Sequence, residues 1–192
     1  MTPTSEDRRV VLVVDDEAAI ADTFAFQLQG PYETRVAYGG EEALEMVDES
    51  VAAVLLDRRM PDIHGDEVLA EIRDRGLDCV VIMTTAVDPD LNILAMDFDD
   101  YLCKPVTGET LLETLDQHVG RPDRAEGKLD EFFSIDSKLS VLEAEKTPAE
   151  LADSEEYERL ERRAERLESE LREELADFDD LLATYRDIDR GT

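Results

Sequence analysis

Asp57 closes an apolar run, AAVLLD, that begins at Ala52 and gives way at once to RRMP. Five small or branched apolar residues in succession read as a short strand buried on both faces, as in a parallel sheet. Ligands of open α/β sheets gather at the carboxyl ends of the strands, so an acid in that place is set for chemistry, here the acceptance of a phosphoryl group. Alone, an acid between strand and loop is more often a turn or capping residue. Three other runs end in a similar manner. Arg9 to Val14, RVVLVV, stops at Asp15-Asp16-Glu17; Cys79 to Thr85 is CVVIMTT; and the run from Tyr101 ends at Lys104-Pro105.

Set side by side, these ends form a constellation suited to phosphate. Three carboxylates, Asp15, Asp16 and Asp57, repel one another at a few ångströms, and ionising all of them needs a cation. A hard divalent ion with oxygen ligands answers that need, and Mg2+ keeps several waters while bridging to phosphate. The same charge steadies a phosphoryl group in transit, whose transition state calls chiefly for positioning and positive charge. Lys104 adds a second, compact cation, and a threonine hydroxyl can donate to a phosphoryl oxygen.

The intervening elements must bring those ends together. The spacing predicts a helix over about Glu17 to Gln29 with Ile20, Phe24 and Leu28 on one face, stopped by Gly30-Pro31. A strand at about 34–38 and a helix at about 41–49 follow, then the strand ending at Asp57. A loop through Pro61 and Gly65 leads to a helix with Val68, Leu69 and Ile72. A short helical piece around Leu91 to Met96 precedes the fifth strand, and a helix runs over about Gly108 to Val119. Alternation of this kind gives an α/β, doubly wound, five-stranded parallel sheet, and right-handed crossovers favour the order 2-1-3-4-5. That order makes strands one, three, four and five end side by side.

The motifs VVDDE, LLDRRMPDIHG, MTTAV and DYLCKPV, in this order and spacing, resemble those of the receiver domains of two-component response regulators over about residues 8 to 120. The resemblance implies a flavodoxin-like receiver over 1–120 whose phospho-acceptor is Asp57 and whose donor is a sensor histidine kinase. It implies Mg2+ bound directly by Asp16, Asp57 and the backbone carbonyl of Arg59, with Asp15 helping through water. Thr85, the threonine followed by Ala86, and Lys104 would hold the phosphoryl oxygens, with Thr84 only a neighbour. Tyr101 would be the aromatic that turns inward when Thr85 moves, and the Lys104-Pro105 bond would be cis. Arg58 and Arg59 form an unusual basic pair beside the acceptor, read either as tuning dephosphorylation or as solvated loop residues. The interval from Ala86 to Tyr101 is short for a receiver, which predicts a stunted fourth helix.

Beyond a linker at 121–127, no strand pattern appears. Residues 128–190 read as a two-helix, coiled-coil-like output or dimerisation segment. The first helix spans about Lys128 to Glu145, and the second starts at Thr147-Pro148 with Thr as N-cap and continues to about Ile188. Tyr157, Leu160, Ala164, Leu167, Leu171, Phe178, Leu181, Tyr185 and Ile188 alternate steps of three and four, with a break at Glu174. About forty residues would make ~60 Å of helix, roughly twice the first, so half of the seam should pair with a second copy through 157–188 or lie against the receiver. The two-helix tail resembles the HalX domain found after receivers in haloarchaeal regulators. The run RLERRAER interleaves its arginines with Glu158, Glu161 and Glu165, which favours solvated surface over contact with DNA.

Composition narrows the choices further. The 192 residues carry 50 acids and 20 bases, a formal net charge of -30, and lysine only at 104, 128, 138 and 146. Such a surface repels nucleic acid and anionic membrane at moderate salt and resembles that of halophilic proteins. With no signal-peptide core at MTPTSEDRR and no apolar run near ~18 residues, a cytoplasmic protein without a membrane segment is expected. Cys79 and Cys103 fall at opposite ends of neighbouring strands, too far apart for a disulfide. The expected function is a phosphorelay response regulator that signals by protein interaction through its tail; the alternative is a DNA-binding transcriptional regulator using that tail. An aspartyl-phosphate phosphatase would want an acid two residues after its nucleophile. Arg59 stands there, so no enzyme activity beyond phosphorylation and dephosphorylation at Asp57 is expected.

Overall fold

The computed structural model describes residues 8–119 and 127–188. The linker reading therefore lies outside the described residues except for Gly127, as do the leader reading over 1–7 and the last two residues of the 128–190 segment. Five parallel strands, β1 (Val10–Val14), β2 (Glu33–Ala37), β3 (Val51–Leu56), β4 (Val80–Thr85) and β5 (Asp100–Cys103), form one sheet in the order β2-β1-β3-β4-β5. The doubly wound expectation holds. Register pairs Leu12 with Val54 and Leu55 with Ile82, so alternate residues line two cores. Val11, Val13, Leu55, Ile82 and Leu102 face the side of α1 (Ala18–Leu28) and α4 (Gly108–Val119); Leu12, Val14, Leu56, Met83 and Tyr101 face the side of α2 (Gly40–Met46) and α3 (Gly65–Asp74).

Between β4 and β5 the chain makes only one 3-10 turn, Leu91–Ala95, capped by the Asp90 carboxylate on Asn92 N–H at 3.0 Å. The stunted fourth helix is thus observed, and the tail fills the space beside it. Helix α5 (Lys128–Glu145) packs on β5 and on that turn. Ser134 Oγ donates to the Phe98 carbonyl at 2.6 Å, and the Lys138 ammonium sits 5.0 Å from the Phe98 ring centroid.

The second tail helix corrects the expectation. In place of one rod from Pro148 to Ile188, three helices appear: α6 (Pro148–Ala152), α7 (Glu155–Glu174) and α8 (Phe178–Arg186). Thr147 and Glu150 close a capping box on α6, and Ser154 accepts from Tyr157 N–H at 3.2 Å to start α7 afresh. Helix α7 stops at Leu175, beside the heptad break at Glu174, and α8 turns back over α5. There Tyr185 stacks on Phe133 with centroids 4.1 Å apart, while Phe178 meets Phe132 edge-on at 5.5 Å. Helices of 18 and 20 residues, ~27 and ~30 Å long, match one another. Tyr157, Ala164, Leu167, Leu171, Phe178, Tyr185 and Ile188 are therefore buried within a single chain, while Leu160 and Leu181 stay half-buried, so most of the seam read as a homodimer contact is covered.

Neither cysteine forms a disulfide; Cys79 is buried and Cys103 half-buried. Burial, aided by the charges of Glu145 and Asp88, pushes the Cys103 thiol up to about 11. Alkylation of Cys103 by iodoacetamide near neutral pH is expected to run at least roughly ten-fold slower than that of free cysteine, followed by intact mass.

Candidate functional site

The carboxyl ends of β1, β3, β4 and β5 meet as the sheet order requires. Asp57 leaves β3 with its N–H still bonded to the Val14 carbonyl at 2.9 Å, so the acceptor is held by the sheet and not by a loose loop. The Lys104 ammonium reaches back from β5 and donates to Asp57 Oδ1 at 2.8 Å and to Asp15 Oδ2 at 2.5 Å. Arg59 N–H donates to Asp57 Oδ2 at 2.8 Å, and Glu17 N–H to Asp15 Oδ1 at 2.9 Å. Gly65 closes the floor: a Cβ there would stand 2.2 Å from the Asp57 carbonyl oxygen, so the first turn of α3 can approach only without a side chain. The Lys104-Pro105 peptide is cis.

Electrostatics follows from this packing. Burial raises the Asp57 carboxyl above its ordinary range; Lys104 and the Arg59 N–H oppose the rise, and Asp15 adds to it. Burial alone would lower the Lys104 ammonium, yet its bonds to Asp15 and Asp57 outweigh that and raise it. Asp16 differs from expectation. It is exposed, and among the described residues no three acidic, histidine or cysteine side chains converge, so the trio of carboxylates is a pair. Asp15 and Asp57 already share one positive charge. The Asp15 and Asp57 carboxylates, with Asp16 and the Arg59 carbonyl next along the chain, are hard oxygen donors of the kind that hold a Mg2+ ion completed by water.

Thr85 closes β4 and Tyr101 lies in β5, on the face of the sheet that carries Leu56 and Met83. Thr85 Oγ1 accepts from Val87 N–H at 3.2 Å, and the fully buried Tyr101 donates its hydroxyl to the Val87 carbonyl at 3.1 Å. Burial, opposed by the nearby Arg58 guanidinium, pushes that hydroxyl up to about 12. Thr84 Oγ1 is buried with no hydrogen-bond partner.

Two groups were missed in the sequence. Arg58, read as tuning dephosphorylation or as a solvated loop residue, is 7% exposed. Its guanidinium bonds Asp66 through Nε at 3.0 Å and Nη2 at 3.2 Å, and Asp90 through Nη2 at 3.4 Å. Strand alternation gives the reason: one residue past Asp57, Arg58 points to the opposite face, where Tyr101 lies. Asp100 is the second. Fully buried, it accepts from Ser137 Oγ of α5 at 2.6 Å and from Tyr101 N–H at 2.8 Å, and lies 3.0 Å from His118 Nε2 of α4. Residues far apart in sequence make that cluster, so no local motif announces it.

Three of the four arginines in the α7 run are paired with acids. Arg159 pairs with Glu156, Arg162 with Glu158 at 3.3 Å, and Arg163 with Glu131 of α5 at 2.8 Å. Among the described residues no helix is long and apolar enough to cross a membrane.

Comparison with known proteins agrees with this geometry. A family model described as response regulator receiver domain matches residues 11–116, and one described as HalX domain matches residues 123–189. A Haloferax volcanii protein named "Putative transcriptional regulator" is 43% identical over 191 residues, which is 95% of this chain and 32% of that protein. The chain thus spans about a third of the length of that curated relative. Among solved structures, a receiver domain protein from Methanospirillum hungatei is 26% identical with a TM-score of 0.56, covering 62% of this chain and 100% of its own. The response regulator TrrA from Thermotoga maritima, solved with Mg2+ and beryllofluoride, is 35% identical with a TM-score of 0.50, covering 57% of this chain and 97% of its own.

Proposed function

Because the chain belongs to the response regulator receiver family and carries a HalX domain behind its receiver, we propose that it takes a phosphoryl group from a histidine kinase onto Asp57 and signals through the tail. The observation behind this reading is the single ammonium of Lys104 shared by Asp57 and Asp15 at 2.8 and 2.5 Å. In the transfer, the phosphorus–nitrogen bond of the donor histidine breaks as a bond to an Asp57 oxygen forms. Lys104 then exchanges a carboxylate oxygen for a phosphoryl oxygen, and the Thr85 hydroxyl, while accepting from Val87 N–H, donates its own hydrogen to another phosphoryl oxygen. Mg2+, when bound by Asp15, Asp16, Asp57 and the Arg59 carbonyl, supplies the charge that neutralises the group in transit. No turnover of other substrates is expected, and the reading puts the chain in the cytoplasm, where its donor acts.

The output passes from Tyr101 to Phe98, whose rings lie 5.7 Å apart, and from Phe98 to Ser134 and Lys138 of α5. Paired arginines favour output by protein interaction. The second reading, a DNA-binding transcriptional regulator, draws on the name of the Haloferax volcanii relative alone. The 192-residue chain treated with Mg2+ and acetyl phosphate is expected to gain one phosphoryl mass, labile to alkali and mapping to Asp57. A stable modification, or one elsewhere, would sink the acceptor reading.

A further inference from the structure

We propose that Arg58 is a positioning residue for the acceptor: it holds Tyr101 and the loop from Thr85 to Asp90 in the arrangement that a phosphoryl group on Asp57 requires. This rests on the acceptor reading above. The loop is fastened at three points. Its start is tied by Val87 N–H to Thr85 Oγ1, its middle by the Tyr101 hydroxyl to the Val87 carbonyl, and its end by Asp90 to the Arg58 guanidinium. Arg58 is also bonded through the backbone to Asp57 and through Asp66 to the first turn of α3. One side chain thus joins the residue that receives the group, the loop that must close on it, and the helix behind both.

The arrangement is poorly suited to a purely structural task. A buried cation gains its place only when fully paired, and apolar packing of the same volume usually serves stability as well or better. Here Nη1 is buried with no hydrogen-bond partner, on a guanidinium that lies beside the Tyr101 hydroxyl. What a guanidinium offers beyond an apolar side chain is directionality: a rigid fork engaging Asp66 and Asp90 at once while it borders the aromatic ring. Tyr101 is fully buried, with its hydroxyl on the Val87 carbonyl of that loop. Without Arg58 the loop would spend time elsewhere, and the acceptor's apparent affinity would fall by the fraction of time lost.

The test is a beryllofluoride titration of the full chain with Mg2+, read as the shift of thermal unfolding, with beryllofluoride standing in for the phosphoryl group. Arg58→Ala is expected to raise the midpoint about five- to tenfold and Arg58→Lys to restore part of it, while Arg159→Ala, at an exposed arginine of α7, leaves it unchanged. Should Arg58→Ala fail to fold, Asp90→Asn removes one fastening at a half-exposed position and is expected to raise the midpoint about two- to threefold. A lower melting temperature with an unchanged midpoint, in either variant, makes Arg58 a structural ion pair and overturns the proposal. Wild-type protein that does not respond to beryllofluoride overturns the acceptor reading along with it; a wild-type response with unaltered variants overturns this proposal alone.

Discussion

Replacing Asp57 by asparagine should abolish phosphoryl acceptance and at the same time make the protein more stable. Burial raises the folded-state pKa of Asp57 above its ordinary value, and Asp15 adds to the rise, so the ionised carboxylate is a liability to the folded state near neutral pH. The sign is opposite to that of a salt-bridged acid. An acid with a raised folded pKa detracts from stability once both states are ionised, and the deficit disappears as pH falls through the folded pKa. Asparagine keeps an oxygen for the Lys104 ammonium and gives up the bond from Arg59 N–H, which costs about 1 kcal/mol. The net gain should be of order 1 kcal/mol at pH 7, a rise of about 2–4 °C in Tm. At pH 4, where most of the burial deficit of Asp57 is gone, the gain should vanish and the lost bond from Arg59 N–H should tip the balance toward the parent. Calorimetry at the two pH values checks this, together with loss of the acetyl phosphate adduct. A less stable variant at pH 7 would mean that the Lys104 bond to Asp57 outweighs its burial.

The second large effect belongs to Tyr185. Its ring is fully buried against Phe133, its hydroxyl donates to the Phe133 carbonyl at 2.9 Å, and its edge faces His118 of α4 at 6.0 Å. Tyr185→Ala removes all three contacts and leaves a cavity between tail and receiver, for a loss of about 3–5 kcal/mol. Tm should fall by about 8–15 °C. Tyr185→Phe loses only the hydroxyl and should cost about 1 kcal/mol. Tail and receiver share one apolar cluster, so denaturant unfolding should remain a single transition when followed by circular dichroism and by tyrosine emission. Two separated transitions would mean that the seam is too weak to couple them.

The sheet and most of its chemistry were legible because each strand is a short apolar run ending abruptly in a reactive side chain. Asp15, Asp57, Thr85, Lys104 and Tyr101 all lie where those ends place them. Asp16, the next residue along the chain from Asp15, is exposed and makes no bond to Lys104, so its place beside the pair rests on the motif and not on a contact. The tail shows the limit of periodicity. A heptad pattern states which side of a helix is apolar, and the same residues serve a straight rod or a chain folded back on itself. The stops at Asp153-Ser154 and at Glu174 to Asp177 decide between those outcomes. Ser154 has the side chain of a good cap, so that break could have been read, whereas Asp177 makes no capping bond and α8 is fixed by Phe178 and Tyr185 packing on α5. Arg58 and the Asp100 cluster needed the third dimension, because their partners stand 8 to 37 residues away.

The carboxylate of Asp100 bears on modularity. It is roofed by Ser137 from one side and His118 from the other, and the single 3-10 turn beside it leaves the neighbouring face of the sheet to α5. A receiver grafted onto a foreign effector would carry that acid without its serine, and Phe98 without Lys138. The unit that recombination can exchange intact is therefore the receiver together with α5, and chimeras joined between them inherit a broken seam.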